Sequence, residues 1–164
     1  MAEKQYINPK NPVYFSYYKA DDKCSDIEES VKKICAVLDK NGIYYKRNSD
    51  SDIPYCASLD EIQRETGRGA LVIVIISKGY IESLDCMHEW HRIRENGKIW
   101  ERVLPVVLDD AKLRDKEVFM DYYNYFCKRK EILIKQQSED IIPLTKSESN
   151  AAEFGYYVED LKSM

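Results

Sequence analysis

Glu89 lies in the segment Ser83-Leu84-Asp85-Cys86-Met87-His88-Glu89-Trp90, which gathers carboxylates, a thiol and an imidazole just beyond the one long apolar run, Ala70 to Ser77. A carboxylate on the first turns of a helix that follows a buried strand lies at the carboxyl edge of an open α/β sheet, where such sheets place their ligands. Glu89 is therefore the leading catalytic candidate. The competing reading makes it a solvated helix residue paired with Arg92 or Arg94, a contact worth only about 0.2–0.5 kcal/mol. Metal ligation fits poorly, because His88 and His91 stand three apart, outside the H-E-x-x-H register of zinc proteases. A Cys86 and His88 nucleophile pair fits no better, since residues two apart on a helix point to different sides. That leaves Cys86 as a cysteine packed under the sheet edge.

Other polar groups fall in the same layer. Ser16 and Ser77 end strands at the carboxyl edge, where a hydroxyl either binds phosphate or ribose or caps the next turn. Arg47, Asn48 and Ser49 follow a second strand and either meet a pyrophosphate or form a solvated loop. Neither G-x-G-x-x-G nor G-x-x-x-x-G-K-[ST] occurs, which argues against a Rossmann dehydrogenase and a P-loop ATPase. Tyr17-Tyr18 and Ser77 stand where flavodoxin-like response regulators need acidic residues.

The elements that position these groups follow from pattern. Val13-Tyr14-Phe15-Ser16-Tyr17, after Pro12, reads as a first strand. Ser25-Asp26-Ile27-Glu28 is a capping box, and Ile27, Val31, Ile34, Cys35 and Leu38 share one face of the helix that Asn41-Gly42 ends. Ile43 to Arg47 is a second strand, and Ser58-Leu59-Asp60-Glu61 opens a short helix stopped by Gly67 and Gly69. Ala70 to Ser77 shows no polar alternation and fits a strand covered on both faces, the centre of a parallel sheet. A helix over about Leu84 to Asn96 follows, then a fourth strand, Val103 to Leu108, whose Pro105 places it near an edge or at a bulge. Asp115 caps a long helix to about Gln136, and a last helix spans about Ala151 to Lys162. A fifth strand has two candidates, Ile141-Ile142-Pro143-Leu144 and Ile132-Leu133-Ile134. Such alternation implies right-handed crossovers and an α/β, flavodoxin-like three-layer sandwich around a parallel sheet of four to five strands.

Bulk properties narrow the function. At 164 residues the chain fits one domain that buries roughly 70% of its unfolded surface. Residues 1–11 read as a leader and 12–164 as a single domain, helical from about 115. The net charge of -4, with signs interspersed, supplies no basic stripe for DNA or RNA. Five cysteines at irregular spacing, with no C-x-x-C pair, argue against a disulfide framework and for a reducing compartment. The N-terminus has no apolar signal core and the longest apolar run is too short for a bilayer, so the expectation is a soluble cytoplasmic protein with no membrane partner. Thirteen tyrosines suit half-buried core positions first, and ligand stacking or self-association second.

Taken together, these segments resemble a TIR domain, the Toll/interleukin-1 receptor and resistance-protein module, over roughly Pro12 to Asp109. The boxes that carry the resemblance are the opening strand Val13 to Tyr17, the second strand with its loop ending in Asp52-Ile53-Pro54, and Ile76-Ser77-Lys78-Gly79-Tyr80 ahead of Asp85 to Trp90. Val103-Leu104-Pro105-Val106 matches a weaker fourth box. Cys86-Met87-His88-Glu89-Trp90 is similar to the Cys-x-x-Glu-Leu segment of members that cleave NAD+ at the nicotinamide glycosidic bond. The resemblance thus implies a bacterial, stand-alone type of TIR enzyme with NAD+ as substrate, no prosthetic group and no metal. It assigns catalysis to Glu89 and the nucleotide pocket to Ser16, Tyr17, Tyr18, Arg47, Asn48, Ser49, Ser77, Asp85 and Cys86. It also implies TIR–TIR self-association on activation, and a separate effector that senses the nucleotide product, as in anti-phage signalling. A non-catalytic TIR scaffold is the alternative it leaves. Two positions depart from the pattern: Asp85 replaces the tryptophan many enzyme members carry four residues before the glutamate, and Tyr55-Cys56-Ala57 replaces a glycine-containing turn. Tyr17, Tyr18 or Tyr55 is then the candidate stacking partner.

Overall fold

Val72–Ile76 consists wholly of β-branched residues, which are stiff at χ1 and pack well on a pleated surface; it forms a strand, β3, with all five residues buried. In the computed structural model of the chain, which describes residues 7, 11–19, 25–47, 71–95 and 97–138, three further strands join it. They are β1 (Val13–Tyr17), β2 (Tyr45–Lys46) and β4 (Val103–Val107). All neighbours are parallel and the order is β2-β1-β3-β4. Ser16 is in register with Val74, and Val74 with Pro105.

Parallel neighbours need crossovers, and helices supply those described. Helix α1 (Ser25–Lys40) lies between β1 and β2 and ends at Gly42, whose φ of 65° is left-handed. After β3 come α2 (Lys78–Glu82) and α3 (Leu84–Glu95), then α4 (Ile99–Arg102) before β4. Gly97 and Lys98, at φ 69° and 55°, turn the chain from α3 into α4, and the Arg102 guanidinium donates to the Gly97 carbonyl across that turn. A 3-10 turn over Asp109–Ala111 leads to α5 (Lys116–Ser138), capped by Asp115, whose Oδ1 accepts from the Glu117 amide at 2.9 Å.

Period-two alternation sorts the interior strands onto two faces. Val13, Phe15, Tyr17, Ile73 and Ile75 pack with Ile27, Val31 and Cys35 of α1. Tyr14, Val72, Val74 and Ile76 pack instead with Tyr80, Ile81, Met87, Trp90 and Ile93 of α2 and α3 and with Tyr122 and Phe126 of α5. The chain runs from β1 to one side and reaches β3 on the other, so the order reverses between β1 and β3. Open α/β sheets bind ligands in the crevice outside the strand ends at such a reversal.

The parallel α/β architecture agrees with the sequence expectation, and Pro105 sits in the outermost described strand, where a missing donor is tolerated. Two expectations are corrected, and one element goes beyond them. Four strands are described, and Ile132-Leu133-Ile134 is part of α5 rather than a strand. The second strand is confined to Tyr45–Lys46. The segment after Ser77 begins a helix of its own, α2, before α3 starts. The other fifth-strand candidate, Ile141 to Leu144, the helices expected after Ser58 and Ala151, and the leader except Ile7 and Asn11 lie outside the described residues.

Candidate functional site

Ser16 is the one polar residue of β1 on the α3 face, between Tyr14 and the strand end, and it is fully buried. Glu89, in the second turn of α3, is also fully buried, and Ser16 Oγ donates to Glu89 Oε2 at 2.9 Å. Tyr80 of α2 completes the group: its hydroxyl lies 2.8 Å from Ser16 Oγ. Three side chains from three elements, 64 and 73 residues apart in sequence, thus form one chain of hydrogen bonds with no solvent exposure.

Local capping sets this geometry. Ser77 ends β3 with extended backbone and serves as the N-cap of α2, its Oγ accepting from the Tyr80 amide at 3.1 Å. Ser83 accepts from the Cys86 amide at 3.3 Å and starts α3, which places Glu89 one and a half turns in. Burial pushes the Tyr80 hydroxyl well above the usual tyrosine range, and the charge of Glu89 and then Cys86 push it further, while the Ser16 bond opposes them. Tyr80 is held as a neutral phenol.

The remaining sequence candidates divide. Ser77 is buried and engaged as a cap. Tyr17 is 2% exposed in the α1-side core, facing away from Glu89. Tyr18 continues the alternation on the Ser16 side and is half-buried; its ring lies so close to Gly79 that a β-carbon there would stand 2.7 Å from Tyr18 Cε1. Cys86 is packed in the core beside Met87 and Trp90, while Asp85 is exposed at the start of α3. Arg47 follows β2 and is half-buried; Asn48, Ser49 and Tyr55 lie outside the described residues. The solvated reading of Glu89 does not hold, since its side chain is withdrawn from solvent; Arg92 lies 3.9 Å from Glu95. His91 likewise faces Glu95, at 3.5 Å. Among the described residues no three His, Cys, Asp or Glu side chains converge as a metal set, and no helix is long and apolar enough to cross a membrane.

Nothing in the sequence around Tyr80 marks it as a partner of Glu89. It stands in the box Ile76 to Tyr80, and the serine three residues before it carries the cap signal that orients it. The partner it meets is visible only in three dimensions.

A buried carboxylate beside a topological reversal can accept hydrogen bonds from sugar hydroxyls and stabilise nearby positive charge. The TIR domain family profile, TIR_2, matches residues 13–140. No curated protein sequence matches the chain. A solved structure of TIR domains, described as the activated Roq1 resistosome directly recognizing the pathogen effector XopQ, shares the fold with a TM-score of 0.53 and 16% identity, covering 93% of this chain and 98% of that one. With a parallel sheet in this order, helices on both faces and a family match over most of its length, the chain belongs to the TIR domain family.

Proposed function

We propose that the chain is an NAD+ glycohydrolase or cyclase with Glu89 as its catalytic residue. The observation that carries this reading is the burial of Glu89 without any solvent exposure, fixed by Ser16 at the reversal between β1 and β3. A carboxylate is costly to bury, and a helix that needed only packing there would carry an apolar residue.

In this reaction the bond between ribose C1′ and the nicotinamide nitrogen breaks, its electron pair neutralises the cationic ring, and positive charge develops on the ribose as in glycoside hydrolysis. Glu89 faces that charge and accepts from the ribose hydroxyls. Water then attacks C1′ and loses a proton to give ADP-ribose; a hydroxyl or ring nitrogen of the same nucleotide gives a cyclic isomer. Tyr18, on the Ser16 side of the sheet edge, takes the stacking role that Asp85 cannot, and Arg47, just after β2, is the candidate for the pyrophosphate. A diffusible product read by a separate effector, in a bacterial anti-phage response, is the biological setting. Five cysteines at irregular spacing, with no C-x-x-C pair, suit a reducing cytoplasm.

A second reading, a TIR scaffold that works through TIR–TIR contacts, draws on a different observation. Leu104 and Val107 of the outermost described strand, with Leu71 and Trp100, are 49–81% exposed, large apolar side chains of the kind that support association at a strand edge. Both readings meet one experiment: nicotinamide release from NAD+ across a series of protein concentrations, with products separated. Wild type is expected to release nicotinamide, and Glu89→Ala to lose at least about 100-fold of that rate. Equal release from both, or none at the highest concentration, removes the enzyme and leaves the scaffold. Release without any cyclic product removes the signalling half.

A further inference from the structure

The direction of the buried hydrogen-bond chain follows from counting its protons. Tyr80 is fully buried, and Ser16 Oγ is its hydroxyl's one described partner, so the phenolic proton goes to Ser16 or to nothing. A serine hydroxyl has one proton and can accept as well as donate. With Tyr80 donating to Ser16 Oγ, the Ser16 proton is committed to Glu89 Oε2, 2.9 Å away. The opposite direction would leave a buried phenolic O–H without an acceptor. Burial keeps that phenol protonated, so it has a proton to give throughout the neutral range.

Resting on the NAD+-cleaving reading, we propose that Tyr80 is a positioning residue for Glu89, its hydroxyl fixing Ser16 as a donor and thereby holding the Glu89 carboxylate as an acceptor in one orientation. The relay gives Glu89 a role as a fixed anion toward the ribose rather than as a proton donor to the leaving group. It also explains why α2, a helix of only five residues, is anchored at Ser77: the cap sets Tyr80 over the end of β1. Serine alone, free to rotate, could satisfy either neighbour. With the phenol behind it, only one arrangement satisfies all three.

The test compares Tyr80→Phe, which keeps the ring and removes one oxygen, with Ser16→Ala and the double variant. In Tyr80→Phe, kcat for nicotinamide release is expected to fall about tenfold with KM changed less than about twofold, since the carboxylate is misaimed while the rest of the pocket is intact. If Tyr80 acts through Ser16, adding Tyr80→Phe to Ser16→Ala costs no further kcat, whereas independent contributions would multiply. A second readout does not need turnover: the Glu89 carboxyl carbon, assigned with Glu89→Gln and followed by 13C NMR, should titrate at a higher pH in Tyr80→Phe than in wild type because the donor it receives is weaker. An unchanged midpoint, a neutral Glu89 carboxyl at pH 7 in wild type, or multiplicative losses in the double variant overturn the relay. Absence of nicotinamide release from wild type overturns the enzyme reading instead, and the titration still decides the relay. Should Tyr80→Phe fail to fold, Ser16→Ala carries the same titration, with the same upward shift expected and an unchanged midpoint again fatal.

Discussion

Consecutive residues of one strand serve opposite ends on the two faces of this sheet. Phe15 and Tyr17 point toward α1 into a cluster made of apolar side chains, with Ile27, Val31, Ile73 and Ile75. Ser16, between them, points the other way and meets Glu89 and Tyr80. The α1 face is an ordinary core whose worth is buried area. The α3 face is just as buried but brings the Glu89 carboxyl together with the hydroxyls of Ser16 and Tyr80, whose burial is tolerable because they hydrogen-bond to one another. A single strand can therefore anchor the fold and hold a reactive group without compromise, because alternation keeps the two tasks one residue apart.

Phe15→Ala gives the largest effect expected from breaking this division. The side chain is fully buried, and its truncation should cost about 3–5 kcal/mol of stability in urea unfolding. Activity per folded molecule should stay at the wild-type value. A loss of kcat in the folded fraction would show that the α1 face tunes the site after all. One residue on, Ser16→Ala should show the reverse emphasis. Stability falls by about 1–3 kcal/mol as two buried partners lose their bonds, and nicotinamide release falls about tenfold or more. Equal stability costs for the two variants, with activity intact in both, would erase the distinction.

Gly79→Ala tests how the α3 face is closed at its margin. The Tyr18 ring occupies the space an alanine β-carbon would need, so ring or helix must shift, at a cost of about 1–3 kcal/mol. Because Tyr18 is half-buried at the sheet edge, KM for NAD+ should rise more than stability alone explains. Recovery of KM in Gly79→Ala with Tyr18→Leu would trace the effect to that ring. An unchanged KM in Gly79→Ala would remove Tyr18 from the pocket.

The two faces also differ in how far they could be read from residues alone. Val72 to Ile76 announces itself as a covered strand because β-branched residues run without a polar break, and the helix under Val13 and Phe15 follows from Ile27, Val31 and Cys35 at helical spacing. Asp115 and Gly42 mark helix ends by local chemistry, and both do so in the structure. Ile132 to Ile134 misleads because two isoleucines favour strands locally, while the helical pattern from Lys116 onward outweighs them. Helix α2 escapes notice because five residues complete little more than one turn and show no periodicity. Glu89 stood out by its place after β3, but its partners did not. Ser16 could equally have capped a turn, and Tyr80 is joined to it only by a contact across 64 residues.

The smallest effect concerns alkali, and it separates tyrosines by their surroundings. Tyr122 of α5 donates to the Ala111 carbonyl at 3.1 Å on the α3 face, and burial, with Glu82 and Asp110 adding to it, raises its hydroxyl to about 12. The folded value exceeds the unfolded value of about 10, so the stability it contributes is complete below about pH 10 and is lost as pH rises toward about 12. On the α1 face Tyr45, bonded to Asp39 at 3.1 Å, is raised further still, also chiefly by burial. Alkaline unfolding therefore draws on both faces. Tyr122→Phe should lose about 0.5–1.5 kcal/mol at neutral pH, the net worth of one hydrogen bond. That deficit should narrow between about pH 10 and pH 12, because the variant no longer has this proton to lose on unfolding. Urea midpoints measured across that interval check the sign: a deficit that stays constant with pH would mean that Tyr122 titrates alike in the folded and unfolded chain, and that the alkaline limb belongs to the other buried tyrosines.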